Sequence, residues 1–122
     1  MTFRHLAILT SVLLFGLSAT WMFAPELMLT QWGVQYSEGA GLVSRRAAAF
    51  YAGIALMLLL ARNTEASKAR SALATGISLT CLILAILGIL EWQSGSASAQ
   101  ILVAVVLEAF LAVAFLLSNK AK

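Results

Sequence analysis

The fold class this sequence predicts is all-α: an integral membrane protein built as an antiparallel bundle of four transmembrane helices. Three observations predict it. Hydrophobic residues make up 61% of the 122-residue chain and charged residues only 11%, well under the roughly 25% charged that a soluble domain carries. The apolar residues fall in four continuous blocks rather than alternating runs, which suits helices and argues against barrel strands. Each block has the ~20 residues that an α-helix, rising about 1.5 Å per residue, needs to cross the hydrocarbon core. The chain therefore reads as one transmembrane domain, 1–122.

The first block runs from Leu6 to Ala24, nineteen residues without a charge. Arg4 and His5 ahead of it have the look of a signal-peptide start. The apolar run continues through Trp21, Met22 and Phe23 with no Ala-x-Ala site after it, so a retained anchor helix is expected. The link 25–40 opens on Pro25 and Glu26, both suited to the first turn of a helix. Leu27, Met28, Leu29 and Trp32 follow, then Gly33, which predicts a short interfacial helix ending at the glycine. The second block, 41–61, is uncharged apart from Arg45 and Arg46. The third runs from Ser71 to Leu90, twenty residues without a charge, and the fourth, 98–118, carries one charge, Glu108. The links 62–70 and 91–97 are short, so successive helices are expected to pack as antiparallel neighbours, and no soluble domain fits between them.

Arg4, Arg62, Lys68, Arg70, Lys120 and Lys122 fall on one side of this topology, and Arg45 and Arg46 on the other. That asymmetry, counted close to the helix ends, predicts that both termini are cytoplasmic. Glu26, Glu38 and Glu91 lie on the outer side, where acidic residues carry little weight. Trp21, Trp32 and Trp92 also fall at the outer ends and read as interfacial anchors, since an indole has one hydrogen-bonding edge on an apolar body.

Glu108 is the first candidate functional residue. It lies roughly 15 Å into the fourth helix, near the bilayer centre, where an ionised carboxylate costs several kcal/mol and must face the bundle and find a partner or stay protonated. Ala104 and Ala112 share its stripe, and small residues let a neighbouring backbone approach. Arg45 shares a stripe with Ala48, Ala49, Ala52 and Gly53 and is expected to turn inward; Arg46, on the stripe of Phe50, Ile54 and Met57, is expected to snorkel outward. A gap of roughly 9 Å along the axis would separate Arg45 from Glu108. Glu91 competes as a partner for either arginine, and Tyr51 either bonds Glu108 or packs. The set admits two readings: a polar contact that fixes helix packing, or a protonatable site in a transport pathway. On the third helix Ser71, Thr75, Ser78 and Thr80 are expected to bond their own backbone or a neighbouring helix. Ala72, Gly76 and Thr80 form small-xxx-small pairs that read as packing.

Several classes are excluded. Asp is absent and the one His is His5 at the terminus, so there is no Ser/His/Asp set. No metal cluster or glycine-rich phosphate loop is present, and a formal charge of +3 spread over scattered residues makes no nucleic-acid face. The lone cysteine, Cys81, has no ligand-spaced neighbour and reads as a small packing residue. No catalytic residue, metal or cofactor is expected.

Ala24-Pro25-Glu26-Leu27 after the first helix, Trp32-Gly33-Val34 in the first link, Ser44-Arg45-Arg46-Ala47 opening the second helix and Ala52-Gly53-Ile54 within it together resemble the small bacterial four-helix membrane proteins of the DoxX-like kind. The resemblance covers most of the chain and implies the four-helix fold and a bacterial inner (plasma) membrane location. The leading expectation for function is a non-enzymatic membrane protein that acts through helix–helix association, as a homo-oligomer or as an accessory subunit of a membrane complex, with membrane lipids around it. The alternatives are a small proton-coupled transporter or channel with Glu108 as coupling site, and a lipid- or quinone-binding module.

Overall fold

The computed structural model describes residues 2–120, the side chain of Lys120 excepted, so that residue's charge and all of Lys122 lie outside the described residues. Helices are the regular elements among the described residues, with α1 over Phe3–Phe23, α2 over Pro25–Gln31, α3 over Glu38–Ala61, α4 over Lys68–Gln93 and α5 over Ile101–Lys120. Four of these, all but α2, are long and apolar enough to cross a membrane. The short α2 begins at the proline and carries Glu26 in its first turn.

The helix ends differ from the sequence boundaries for local reasons. Side-chain oxygens of Thr2, Ser37 and Ser67 accept from the N–H of His5, Ala40 and Arg70, so α1, α3 and α4 start earlier than hydropathy suggests. At the other end of α2 the N–H of Val34 donates to Leu29 O at 2.8 Å and that of Gly33 to Thr30 O at 3.1 Å. Gly33 has φ +72°, the left-handed turn that closes such a helix end and that glycine adopts without strain. The fourth long helix starts at Ile101 rather than Ser98, because Ser98 is spent on a tie between loops. Its N–H donates to Trp32 O at 2.6 Å and its hydroxyl to Gln31 O at 2.9 Å.

The long helices form two antiparallel pairs, α1 with α3 and α4 with α5, which meet through α1 and α5. Serines stitch each pair. Ser11 Oγ donates to Ala55 O and Ser18 Oγ to Ala48 O, each at 2.8 Å. Moving up α1 between those serines thus moves down α3, the antiparallel register. Ser78 Oγ donates to Ala112 O across α4 and α5. The buried positions are mostly small, including Ala48, Ala55, Ala74, Ala85 and Ala112, so backbones approach closely in the manner of helices that cannot rely on the hydrophobic effect for contact. Phe50, Leu60, Val103 and Val106 stand on the outside.

The short link 62–67 leaves the backbones of α3 and α4 further apart than those of the two tight pairs, and their side chains share one core cluster through Leu58, Ala74 and Ile77.

The interior divides into two clusters. One, around Phe3, Leu6, Leu58, Ile77 and Phe115, lies toward the chain termini and the α3–α4 link. The other joins Trp21, Leu29 and Ala48 with Trp32, Val34 and Tyr51, where α2 folds over the opposite end.

Candidate functional site

Two cavities meet at Glu108 and at Tyr51, which packs on the second cluster. The larger, about 260 Å³, is lined by Trp21, Met28, Gln31, Trp32, Gln100, Val103 and Ala104. The smaller, about 80 Å³, continues deeper past Thr10, Leu13, Leu14, Ile54, Thr80, Cys81 and Leu84. Leu17, Tyr51, Leu107 and Glu108 line both and form the neck.

Each wall is positioned by ordinary helix geometry. Glu108 falls on the α5 stripe that carries Ile101, Val105, Ala112 and Phe115, all buried, and is itself half-buried. Tyr51 occupies the inward stripe of α3 beside Ala48 and Ala55 and is also half-buried. Thr10, 2% exposed, is set on α1 next to the serine that ties α1 to α3. Its hydroxyl has no hydrogen-bond partner among the described residues. The upper wall depends on α2, which brings Met28 and Trp32 over the end of α1. There Trp32 meets Trp21 with ring centroids 5.5 Å apart and planes 57° apart.

The arrangement differs from the one expected around Glu108. Arg45 is exposed and does not turn inward. The inward stripe of α3 is Gly41, Ser44, Ala48, Ala55 and Leu58, so Ser44 takes the place that Arg45 was expected to fill. Arg46 is exposed as well, and Glu91 is exposed at the far end of α4. The hydrogen bonds between the long helices come from Ser11, Ser18 and Ser78, and among the described residues none of them engages Glu108. Of the five expected site residues, only Glu108 and Tyr51 come together.

Trp21 is a second departure: it is 9% exposed and packs on Trp32 as cavity wall, not as a surface anchor. Trp92 is exposed. The small-residue faces split. Ala48 packs against α1 and Ala112 against α4. Ala49, Gly53, Ala72 and Gly76 are exposed, and a Cβ at Gly53 or Gly76 would meet nothing within 4 Å.

Sequence reasoning passed over Thr10, Gln31 and Gln100. Thr10 carried no signal, since a threonine in an apolar run commonly bonds its own helix, as Thr20 does to Gly16 O and Thr80 to Gly76 O, each at 2.9 Å. The two glutamines flank helices at the same end of the bundle, a signal that pairing of loops would have exposed.

No group of three or more His, Cys, Asp or Glu able to hold a metal ion occurs among the described residues. Comparison with known proteins brings no match, whether to a family model, a curated protein or a solved structure.

Proposed function

We propose that this chain is a multi-pass membrane protein that binds a small, largely apolar molecule in the cleft at Glu108 and Tyr51, as the binding step of a transporter in which Glu108 is the coupling carboxylate. One observation carries the reading: two cavities converge on Glu108, while serines supply the hydrogen bonds between helices. The carboxylate is thus not used to hold the bundle together. A polar group at that depth is costly, and a costly group without a packing role points to a ligand or ion. The wider spacing of α3 and α4, with the exposed Thr80 and half-buried Ile54 lining the deeper cavity, supports entry from the side. One chain is too thin to enclose a route, so transport would require two copies or more. Clustering of Arg4, Arg62, Lys68 and Arg70 at one end supports cytoplasmic termini, and the DoxX-like motifs support a bacterial inner membrane.

The test is thiol access in membranes. In a Cys81→Ala background, Glu108→Cys should react with a membrane-permeant thiosulfonate much faster than Ala112→Cys, one turn along α5 and 5% exposed. Equal, slow reaction at both positions would mean a closed interior at Glu108 and would overturn the proposal.

Association is the second reading, favoured by the uncovered small-residue stripes through Ala49 and Gly53 on α3 and Ala72 and Gly76 on α4. Such stripes suit close approach of another helix. The two readings are compatible if assembly completes the route.

A further inference from the structure

We propose that the ligand of this cleft is a lipophilic monocation, an amine or quaternary ammonium whose charge sits between Glu108 and an aromatic cage and whose apolar arm fills the deeper cavity. The inference rests on the ligand-binding reading above and names the chemistry that reading serves.

The larger cavity presents three aromatic side chains, Trp21, Trp32 and Tyr51, together with one carboxylate. The two indoles meet at 57° with centroids 5.5 Å apart, so they form a corner rather than a stack. A ring face carries negative potential and attracts a cation within about 6 Å, by about 2 kcal/mol when the site is shielded from water. Three such rings and one carboxylate line the same cavity, and each of them favours positive charge.

Among the described residues no Lys or Arg lines either cavity. Arg45 and Arg46 are exposed on α3. At the opposite end Arg62 donates to Leu59 O at 2.6 Å, and Arg70 donates to Thr64 O at 3.4 Å and stacks over Phe3 at 5.1 Å. An anionic ligand would be repelled by Glu108. A neutral one would leave the carboxylate without a counter-charge in a poorly solvated place, at a cost of several kcal/mol unless it takes up a proton. A cation satisfies both the carboxylate and the rings. The amides of Gln31 and Gln100 at the upper wall offer further acceptor oxygens. Below the neck the walls turn largely aliphatic, with Thr10, Thr80 and Cys81 the exceptions, which suits an alkyl or aryl substituent better than a small hydrated ion.

The experiment compares two molecules of one shape, benzyltrimethylammonium and its neutral carbon isostere neopentylbenzene. The full chain is placed in nanodiscs of zwitterionic lipid, with Trp92→Phe so that the fluorescence comes from Trp21 and Trp32. The cation should quench saturably and bind at least about tenfold more tightly than the isostere, a difference of about 1.4 kcal/mol. Glu108→Gln should weaken the cation about tenfold while leaving the isostere within about twofold, which also reports that the variant is folded. Trp32→Leu, at a half-buried position, should likewise weaken the cation more than the isostere. If the isostere binds the wild-type protein as tightly as the cation, the charge inference falls and the ligand-binding reading stands. If neither molecule gives a saturable signal, both fall.

Discussion

Thr10 and Ser11 are adjacent, almost fully buried, and predicted to respond to loss of their hydroxyls with opposite signs. Ser11 Oγ donates to Ala55 O at 2.8 Å, whereas Thr10 Oγ1 has no partner among the described residues. Thr10→Val exchanges a hydroxyl for a methyl of the same shape and keeps the β-branch, so rotamer freedom and helix propensity change little. It removes the cost of burying an unbonded hydroxyl, about 1–3 kcal/mol. In a micelle the unfolded helix also finds partners for its hydroxyls, so the lower end, about 1 kcal/mol of stabilisation, is expected. Ser11→Ala removes an interhelical bond worth about 0.6 kcal/mol on average, and at most about 1.7. Ala55 O lies within α3, so the carbonyl keeps its own helical N–H and is not orphaned. Ser11→Ala should therefore destabilise by roughly 0.6–1 kcal/mol. Equilibrium unfolding by added dodecyl sulfate in maltoside micelles, followed by circular dichroism, measures both. If Thr10→Val destabilises as much as Ser11→Ala, the hydroxyl is bonded in the folded protein and the reasoning from an unpaired group is wrong.

Three further outcomes follow from the packing. A Cβ on Gly88 would come within 2.5 Å of Val105 Cγ2; Gly88→Ala should cost about 1–3 kcal/mol. Adding Val105→Ala should recover much of that loss, with a coupling above about 1 kcal/mol in the same unfolding assay; strict additivity would refute close α4–α5 contact there. Gly33→Ala places a side chain at φ +72° and within 3.3 Å of Ser98 Cβ. It should cost at least about 1 kcal/mol and more than Gly33→Asn, since asparagine tolerates the left-handed region better; equal stability of the two variants would refute the claim. Ser98→Ala cuts the hydroxyl tie to Gln31 O, so the Gly33 and Val34 amides should exchange faster with deuterium while the middle of α1 stays protected. Unchanged exchange at both amides would show that the tie does not hold α2.

The number and rough extent of the long helices were legible, because hydropathy over twenty residues outweighs local detail. The short α2 was legible too, since Pro25, Glu26 and Gly33 mark its two ends chemically. Helix starts were not, because Ser37 and Ser67 cap helices outside the apolar blocks. Helix faces were the weakest point. In a bundle whose outside is as apolar as its inside, periodicity carries little phase information, and Arg45 was assigned inward on a stripe one position from the real one. Glu108 and Tyr51 stood out as polar groups in apolar helices. Their partners in the site did not, because the cavity depends on α2 bringing Trp32 onto Trp21 and on two loops meeting at Ser98, contacts distant in sequence.

The order of helices decides what such a site can do. Here α3 and α4 stand further apart than the helices of the two tight pairs, and the deeper cavity reaches the seam between them. A wide seam next to a carboxylate would be a liability in water, where solvent would flood it. Among apolar lipid chains, on the proposed reading, it would instead be a doorway for molecules that already partition into the membrane. The residues at that edge agree with this role: Thr80 is exposed and Ile54 half-buried, both line the deeper cavity, and Gly53 and Gly76 add no side chain to obstruct it. The same small residues would let a second copy close the edge. On the two proposed readings a lateral doorway and an assembly surface would occupy one seam, and whichever partner filled it would control access to Glu108.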